Sequence, residues 1–295
     1  MKILLTGATG QVGWELTRTL LPLGEVIAVN RNQADLADLS SLRAVIQQHK
    51  PDVIVNPAAY TAVDKAETEK ELAFLINAEA PGVLAEEARK TGALLVHYST
   101  DYVFDGSKTT PYVEDDPTNP LNVYGQSKLA GEQAIQQVAG DCLILRTSWV
   151  YTNRGSNFLK TILRLAAERE ELKIVADQIG SPTWARLIAE TTAHLVRQAL
   201  LERQSGRFKS DIYHLTSSGE TSWHGFAEQI VNNVREQGTL TLKNRVIQPI
   251  PATDYPVPAQ RPANSRLSCQ KLEQHFRLTM PSWDNSLRLC MQDLA

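Results

Sequence analysis

The sequence predicts an α/β protein, with a Rossmann-like doubly wound parallel sheet followed by a smaller C-terminal region, and two patterns carry this prediction. Short aliphatic runs without polar alternation recur in the first half, for example ILL at 3–5 and VIV at 53–55. Strands buried on both faces of a parallel sheet have this composition. Segments of helical character separate the runs, and such alternation is typical of a doubly wound sheet.

Strands and helices alternate from the first residues onward. The expected strands are KILLTG, EVIAVN, PDVIVN, ALLVHYS and CLILRT. The expected helices between them are VGWELTRTLLPL, LSSLRAVIQQH, ELAFLINAEAPGVLAEEARKTG and QSKLAGEQAIQQV. This order indicates strand–helix–strand units that build one parallel sheet.

The pattern loosens after residue 150, which divides the chain into 1–150 and 151–295. Further helices are expected at 157–169, 185–201, 269–275 and 283–293 and in TSWHGFAEQIVNNV, and strands at 172–176 and in DIYHLTS. Residues 248–264 contain five prolines and are expected to form an extended, loop-like path. The segment 185–215 is a candidate to return to the main sheet.

The composition is that of an ordinary globular protein. It argues against a nucleic-acid-binding, metal-binding, disulfide-rich or membrane protein. Of 295 residues, 42% are hydrophobic and 21% are charged, and the net charge of −3 indicates no surface for nucleic acid. Three cysteines lie far apart without a CxxC pair, which argues against a zinc site and a disulfide framework. The apolar runs are too short for the core of a signal peptide and for a membrane helix, which needs roughly 20 residues. We therefore expect a cytoplasmic protein.

A glycine-rich turn follows the first expected strand. GATGQVG spaces its glycines three residues apart, where the first helix begins. Glycine allows the backbone to approach a pyrophosphate, and the helix N-terminus offers N–H groups to it. The spacing differs from the standard G-x-G-x-x-G fingerprint, and a turn without a ligand is the alternative. The candidate cofactor-binding residues here are Gly7, Gly10, Gln11, Val12 and Gly13.

The end of the second expected strand bears on the choice of cofactor. An acidic residue there would bind a ribose 2′-hydroxyl and favour NAD, but the strand ends on Asn30 and Arg31. Asn30 does not repel a 2′-phosphate and Arg31 can pair with one, so we expect NADPH, with NADH left open. A solvated loop charge is the alternative for Arg31. Asp35 and Leu36 follow, and an Asp at such a turn can bind the adenine amino group.

Two segments, YSTDYVFDG and VYGQSKLAG, suggest a proton-transfer site. Tyr124 and Lys128 are four residues apart in an expected helix and therefore share a face. A nearby ammonium is expected to lower the pKa of a tyrosine, which is ordinarily about 10. A Y-x-x-x-K pair also arises by chance on helices. Its combination with the glycine loop and with a strand that ends on Ser99 and Thr100 favours the functional interpretation.

This combination resembles the extended short-chain dehydrogenase/reductase family. In that family the glycine loop binds NAD(P), the tyrosine exchanges the proton, the lysine supports it, and a Ser or Thr binds the substrate carbonyl. The resemblance implies catalytic roles for Tyr124, Lys128 and Thr100. VNPAAYTAVDKAE resembles the third-strand segment of the family, with Asn56 as a backbone support. Further implied cofactor contacts are Ala59, Tyr60, Thr61, Tyr98, Tyr124 and Lys128.

Within the family, the resemblance narrows to reductases of a dTDP-linked 4-keto sugar. It rests on GQVGWEL, AAYTAVDKAE, HYSTDYVFDG, PLNVYGQSKLAGE, LRTSWVY, DQIGSPT and RPANSRL. Related dehydratases carry T-D-E where this chain has T-D-Y, and the missing Glu favours simple ketone reduction. The implied substrate-binding residues are Thr100, Asp101, Val103, Trp149, Asn157 and Arg261, with Asn264 as a further candidate. A core tryptophan and a surface ion pair are the alternatives for Trp149 and Arg261.

The resemblance also bears on domains and assembly. It assigns 1–150 to an NAD(P)-binding Rossmann domain and 151–295 mainly to substrate binding. Some members dimerise through Mg²⁺ held by glutamates, one of which corresponds to Glu15. Arg186 stands where such a member has an acidic residue, and a cation there would repel a metal. We therefore expect no metal site, and a monomer or a weak homodimer.

Two other functions stay open at this point. A regulatory subunit of methionine adenosyltransferase resembles these reductases and would be a binding module for NADP(H). The presence of Thr100, Tyr124 and Lys128 together argues against it. An epimerase/reductase of another nucleotide sugar is the second alternative.

Overall fold

The computed structural model describes residues 1–238 and 240–293, and its centre is a parallel sheet of six strands. The strands, in chain order, are β1 (Lys2–Leu5), β2 (Glu25–Ala28), β3 (Val53–Asn56), β4 (Leu94–Thr100), β5 (Cys142–Thr147), β6 (Val150–Tyr151), β7 (Glu171–Val175), β8 (Ile179–Gly180), β9 (Thr183–Trp184), β10 (Asp211–His214), β11 (Thr221–Ser222) and β12 (Val246–Ile250). The main sheet has the order β10-β5-β4-β3-β1-β2, and its neighbouring strands are parallel. The expected α/β fold is confirmed.

Helices cover both faces of this sheet. In chain order they are α1 (Gln11–Thr19), α2 (Leu39–His49), α3 (Val63–Ala66), α4 (Lys70–Phe74), α5 (Ala80–Thr91), α6 (Val123–Val138), α7 (Phe158–Glu168), α8 (Ala185–Gln204), α9 (Trp223–Gln237), α10 (Gln270–Phe276) and α11 (Trp283–Gln292). α1 and α8 lie on one face, where Leu16 and Ile188 share an apolar core. α2, α5 and α6 cover the other face. Because both faces are covered, the strands are aliphatic throughout.

The strand order creates a crevice at the carboxyl end of β1. The chain leaves β1 towards β2 on one side and continues from β3 towards β4 and β5 on the other. The segments that follow β1 and β3 therefore diverge, and ligands of doubly wound sheets bind at such a point. The ends of β4 and β5 reach the same edge of the sheet.

The edge strand β10 comes from the second half of the chain. Residues 211–214 pair in parallel with β5, and α8 packs along α1. The segment from α8 to β10 therefore lies with the main sheet. Between β5 and α8, and again after β10, the chain builds a second region around α7, α9 and α11, whose core includes Ile162, Phe226 and Leu287.

Residues 248–264 differ from the expected loop at their beginning. β12 extends to Ile250 and pairs in parallel with β7, with Pro249 opposite Ile174. The two strands form a sheet of their own, so β12 is an edge strand, and the missing N–H of a proline is tolerated there. The expectation of a wholly loop-like path is therefore wrong for 248–250.

The segment expected as one long helix is interrupted between α4 and α5. Leu75–Glu79 form a π-helical turn that contains the buried Asn77. α6 passes very close to this turn, since a Cβ on Gly131 would lie 2.1 Å from the Asn77 carbonyl oxygen. Such π-turns are frequent at functional sites, because they redirect a side chain without ending the helix.

Three further sequence expectations concern membranes, metals and cysteines. Within residues 1–238 and 240–293, none of the helices combines the length and apolarity needed to cross a lipid bilayer. In the same residues, no group of three or more His, Cys, Asp or Glu side chains could hold a metal ion. Cys142 and Cys290 are buried free thiols, and Cys269 is half-buried.

A buried ion pair anchors α6 to the sheet. Arg146 from β5 binds Glu132 from α6 through two parallel hydrogen bonds, with Nε–Oε1 and Nη2–Oε2 distances of 2.9 and 2.7 Å. The two side chains are only 3% and 1% exposed. Removal of one partner leaves an uncompensated buried charge, whereas the paired arrangement satisfies both groups.

We expect Glu132→Ala to lower the free energy of unfolding by about 3–5 kcal/mol, because Arg146 would remain buried without its counter-charge. Urea denaturation measures this change. The matched control is Glu168→Ala, which breaks the exposed Arg164–Glu168 pair on α7. That variant should change stability by less than about 1 kcal/mol. Equal losses in the two variants would contradict the anchoring role.

Candidate active site

The glycine loop between β1 and α1 has no room for a side chain at Gly7 or Gly13. Gly7 has a left-handed backbone with φ +57°, and a Cβ on Gly13 would lie 2.1 Å from the Gly7 carbonyl oxygen. Gly10 caps α1 without a side-chain hydrogen bond. The first N–H groups of α1 are therefore not capped by that residue and can face an anion. The loop has the shape that a pyrophosphate requires.

Gln11 and Val12 have different surroundings. Val12 packs against the core shared by α1 and α8. Gln11 accepts a hydrogen bond through Oε1 from Asn157 Nδ2, at 2.9 Å. The Asn157 amide also caps α7 and donates to the Thr152 carbonyl. Asn157 therefore joins the glycine loop to the second region. A substrate contact was expected for Asn157, but its side-chain amide is already hydrogen-bonded within the protein.

The turn after β2 presents the residues that were expected to face the adenosine. Arg31 is 74% exposed, and its Nε donates to Asp35 Oδ2 at 3.2 Å. Asn30 Oδ1 accepts from the Asn32 N–H and shapes the turn. Leu36 is buried in the core beneath α2. Arg31 is the exposed cation of this turn, so it can reach a phosphate at the mouth of the crevice.

The segment after β3 is held in place by Asn77 from the π-helical turn. Asn77 Oδ1 accepts from the Tyr60 N–H at 2.8 Å, and Nδ2 donates to the Tyr60 carbonyl at 3.0 Å. The Tyr60 hydroxyl donates to Glu69, and that hydrogen bond raises its pKa to about 12. Ala59 is half-buried and Thr61 is exposed. Sequence reasoning missed Asn77, because a regular helix would not show that its side chain turns back to β3.

Thr100, Tyr124 and Lys128 come together where β4 meets α6. Thr100 ends β4 and caps a 3-10 turn at Asp101–Val103 by accepting from the Tyr102 N–H at 3.2 Å. The Thr100 hydroxyl lies close enough to Tyr124 to lower its pKa against the effect of burial. Lys128 is 2% exposed and lies one turn further along α6. The two segments singled out in the sequence therefore form one site.

The expected lowering of the Tyr124 pKa by Lys128 is wrong. Loss of solvent raises the pKa of Tyr124 to about 12, against the opposing influence of Thr100. Lys128 Nζ instead donates to the Tyr98 carbonyl at 2.6 Å and lies 3.3 Å from His97 Nε2. Burial lowers the pKa of Lys128 to about 8. Helical spacing predicted that Tyr124 and Lys128 share a face of α6. It did not predict that the Tyr98 carbonyl would accept a hydrogen bond from Lys128.

Asp101 is a buried carboxyl group beside Thr100. Its Oδ1 accepts from the Thr100 hydroxyl at 3.0 Å. Among the residues that the structure describes, Oδ2 has no hydrogen-bond partner although it is buried. Burial raises the pKa of Asp101 to about 7. An unpartnered buried oxygen of this kind is available to a ligand hydroxyl.

Two of the expected contact residues direct their side chains elsewhere. The Tyr98 ring lies in the core beneath α8, and its hydroxyl is 2.6 Å from Thr192 Oγ1. Only the Tyr98 carbonyl reaches Lys128. The Val103 side chain is fully buried in an apolar cluster with Phe104 and Tyr112. Tyr98 packs on the α8 face of the sheet and Val103 packs from the 3-10 turn into its own apolar cluster, so neither side chain enters the site.

Trp149 lies after β5 and is enclosed on both faces. Its ring stacks on Trp223 with a centroid distance of 3.5 Å and an angle of 9°. A Cβ on Gly180 would lie 2.5, 2.8 and 2.9 Å from three adjacent indole atoms, which places Gly180 over the other face. Trp149 also has φ +46°, a strained value for a large residue. Only the edge of the indole is left for a ligand.

The proline-rich segment brings Arg261 and Asn264 close to the sheet. Arg261 Nη2 donates to Asp64 at 3.0 Å. Its buried Nε has no partner among residues 1–238 and 240–293. The charge of Arg261 favours the ionised form of the Tyr102 hydroxyl, although burial raises the pKa of that group. The Tyr102 ring packs edge-to-face with the Tyr124 ring. Asn264 instead donates to the carbonyls of Lys108 and Thr110 and holds that loop.

Glu15 and Arg186 form an ion pair. Arg186 Nε lies 3.2 Å from Glu15 Oε2, and Nη1 lies 2.7 Å from Asp293 Oδ2. The guanidinium therefore balances both carboxylates and ties α1, α8 and the end of α11 together. These groups do not suit a divalent cation, because an arginine occupies the position between the two acids.

The full length of the chain, residues 1–295, matches the family model described as RmlD substrate binding domain. A protein from Burkholderia thailandensis named dTDP-4-dehydrorhamnose reductase is 55% identical over 295 residues, which cover 100% of this chain and 99% of that protein. A protein of the same name from Escherichia coli is 47% identical over 298 residues, covering 100% and 98%.

A solved structure gives the same comparison in three dimensions. The crystal structure of dTDP-4-dehydrorhamnose reductase from Bacillus anthracis, in complex with NADP, matches this fold with a TM-score of 0.88. The identity is 35%, and the match covers 99% of both chains. The likeness therefore extends over the main sheet and the second region together.

We expect Gly180→Ala to displace Trp149, because the new methyl group would overlap the indole face. Two stacked indoles couple optically, so near-ultraviolet circular dichroism should show a smaller coupled signal from Trp149 and Trp223. The control is Gly82→Ala in α5, where the methyl group would meet only Ala134, at 3.4 Å. An unchanged spectrum of Gly180→Ala would show that Trp149 is not enclosed as described.

Proposed function

Since this chain belongs to the RmlD substrate binding domain family, we propose that it reduces the C4 ketone of dTDP-4-dehydro-β-L-rhamnose with NADPH, giving dTDP-β-L-rhamnose. It is an NAD(P)H-dependent oxidoreductase. The observation that carries the specific reaction is the meeting of Thr100, Tyr124 and Lys128 at one end of the sheet, beside the glycine loop. The two ends of the crevice then serve the nucleotide cofactor and the ketone.

The crevice fits NADPH on its own geometry. The first N–H groups of α1 receive no side-chain cap from Gly10 and can bind a pyrophosphate. Arg31 is placed to bind a 2′-phosphate, with Asp35 beside it for the adenine. Tyr60 and Ala59 line the next segment, where Asn77 fixes the backbone. NADPH, when bound there, supplies the hydride that reduces the sugar C4.

Tyr124 donates the proton that the developing alkoxide needs. Thr100 binds the same carbonyl oxygen, so two hydroxyl groups orient the ketone before reduction. The ammonium of Lys128, one turn further along α6, stabilises the phenolate that Tyr124 becomes. Related dehydratases have a Glu at the position of Tyr102 and use it as a second acid in water elimination. This site has Tyr102 instead and so lacks that acid.

The protonation states give the reaction a pH dependence. With its pKa raised to about 12, Tyr124 keeps its proton throughout the neutral range and is always ready to donate. The pKa of Lys128 is lowered to about 8, so its ammonium is present below that pH and is lost above it. Turnover should therefore fall as the pH rises through about 8.

Substrate contacts come from groups that the protein leaves unpaired. Asp101 Oδ2 is placed to accept from a sugar hydroxyl, and Arg261 Nε to bind the diphosphate. Trp149 offers the edge of its ring to the sugar. The Val103 side chain packs in an apolar cluster and the Asn157 side chain holds Gln11, so both residues support the site by placing other groups.

The experiment that tests the function follows NADPH oxidation on addition of dTDP-4-dehydrorhamnose. Loss of NADPH absorbance, with dTDP-rhamnose as product, is the expected result. Binding of NADPH without oxidation by this sugar or by any other ketosugar would indicate a non-catalytic binding module. Faster oxidation by a GDP-linked ketosugar would indicate a reductase of another nucleotide sugar.

We expect Tyr124→Phe to lower kcat at least about 100-fold, because the ring remains while the proton donor is lost. Fluorescence titration should show unchanged NADPH binding. Tyr213→Phe is the control, since it removes another buried hydroxyl, bonded to His275, away from the site. Unchanged turnover in Tyr124→Phe would refute its role as proton donor.

We expect Arg31→Ala to raise KM for NADPH about tenfold, the effect of losing about 1.4 kcal/mol of binding to the 2′-phosphate. KM for NADH should not change, because NADH lacks that phosphate. Arg164→Ala, which removes an exposed arginine from α7, is the control and should alter neither value. An equal rise for both cofactors in Arg31→Ala would contradict the assignment.

A further inference from the structure

The Thr100 hydroxyl group, which is proposed to bind the ketone, already has two hydrogen-bond partners within the protein. It accepts from the Tyr102 N–H at 3.2 Å and donates to Asp101 Oδ1 at 3.0 Å. A hydroxyl group has one hydrogen to donate and two lone pairs that accept. The single hydrogen of Thr100 therefore points to Asp101, and one lone pair of Thr100 is left free.

Asp101 accepts that hydrogen in a place that is closed to water. Asp101 is 4% exposed and Thr100 is 5% exposed. Asp101 Oδ2 is buried and has no hydrogen-bond partner within residues 1–238 and 240–293. A buried carboxylate depends on each donor that it has, because an unmade hydrogen bond costs more for a charged group than for a neutral one. A charged Asp101 therefore retains the Thr100 hydrogen.

A ketone oxygen can only accept, so Thr100 must turn its hydrogen away from Asp101 in order to bind the substrate. With a charged Asp101, this would leave Oδ1 without the Thr100 donor. A neutral Asp101 instead has a hydrogen of its own, which Oδ1 can donate to the free lone pair of Thr100. The two oxygens, 3.0 Å apart, then remain joined while the Thr100 hydrogen faces the ketone.

We propose that Asp101 is a positioning residue for Thr100, and that only its protonated form releases the Thr100 hydrogen to the ketone. The proposal rests on the proposed function, in which Thr100 binds the carbonyl oxygen. The effect passes through Thr100, because one hydrogen changes its direction and no heavy atom has to move. Asp101 Oδ2 accepts in both forms and can still bind a sugar hydroxyl.

The environment of Asp101 places its titration in the neutral range. Burial raises the pKa of Asp101 to about 7, against the opposing influence of Ser265 and Thr100. A carboxyl group keeps its proton below its pKa and loses it above. The form of Asp101 that frees the Thr100 hydrogen is therefore present below about pH 7 and is lost as the pH rises through that value.

The other ionisable groups of the site titrate elsewhere. Tyr102 faces Asp101 from the 3-10 turn and Tyr124 faces it from α6. Burial raises the pKa of both tyrosines, and the charge of Asp101 raises it further, so both keep their protons at neutral pH. Arg261 pairs with an aspartate of α3, and Lys128 donates to a carbonyl of β4. The pKa of Lys128 is about 8.

The test is the pH profile of kcat/KM for the ketosugar in Asp101→Asn, at saturating NADPH. This constant reports the ionisations of the enzyme before the ketosugar binds. In the unmodified protein the fall should begin with Asp101 at about 7, ahead of Lys128 at about 8. Asparagine does not ionise and can donate through Nδ2 to Thr100, so the fall should move up by about one pH unit. A profile that does not move would overturn the proposal.

Glu114→Gln is the matched control. Burial also raises the pKa of Glu114, whose Oε1 accepts from the His214 N–H at 2.8 Å. The glutamine oxygen can accept the same hydrogen bond, so this variant neutralises a partly buried carboxyl group without removing its contact. Its profile should coincide with that of the unmodified protein. An upward shift equal to that of Asp101→Asn would contradict the assignment to Asp101.

Two variants of Thr100 separate positioning from a direct effect of the Asp101 charge on Tyr124. Thr100→Val removes the hydroxyl group, so Asp101 has no hydrogen to redirect. Turnover should be low, and the remaining turnover should show only the fall at about 8. Thr100→Ser keeps the hydroxyl group and should show both falls. A fall through about 7 that persists in Thr100→Val would show that Asp101 acts by its charge, and would overturn the proposal.

A measurement without turnover distinguishes this inference from the function on which it rests. Nuclear magnetic resonance of protein with ¹³C-labelled aspartate carboxyl groups follows Asp101, whose signal is absent from Asp101→Asn. In Thr100→Val the titration of Asp101 should move to higher pH, because the lost hydrogen bond favoured the charged form. A titration unchanged by Thr100→Val would refute the positioning role alone. An unmodified protein that oxidises no NADPH with the ketosugar would refute the reductase function alone.

Discussion

A lysine ammonium that is almost completely removed from water is the constraint around which this site is built. Lys128 needs acceptors and counter-charge because it is only 2% exposed. The carbonyl of Tyr98 and the negative charge of Glu132 meet that need. Glu132 in turn requires Arg146, which fixes α6 against β5. The position of Tyr124 is a consequence of that chain of contacts.

The fold and the outline of the site could be predicted from local patterns. Aliphatic runs, the spacing of Gly7, Gly10 and Gly13, and the four-residue interval between Tyr124 and Lys128 depend on residues close in sequence. The direction in which a side chain points depends on packing in three dimensions, and it decides the roles of Tyr98 and Val103. Both were expected at the site because of their position along the motif, and both side chains turn into the core.

The remaining parts of the site depend on pairs that are distant in sequence. Asn77 holds Tyr60 from a π-helical turn that only the close passage of α6 at Gly131 explains. Asn157 binds Gln11, which is 146 positions away in the sequence. Lys128 on α6 donates to the Tyr98 carbonyl, which belongs to β4. No spacing in the sequence encodes such contacts. The pKa of Tyr124 differs from the expectation for the same reason, since it depends on what surrounds the hydroxyl in space.

The path of the chain between its two regions has a consequence for dissection of the protein. α8 covers one face of the main sheet and β10 forms its edge. Both elements come later in the chain than α7, which belongs to the second region. A fragment that stops at residue 150 would expose the α1 side of the sheet and leave β5 unpaired at one edge. The nucleotide-binding half is therefore not expected to fold as a separate piece, and the two halves would have to be inherited, exchanged or engineered together.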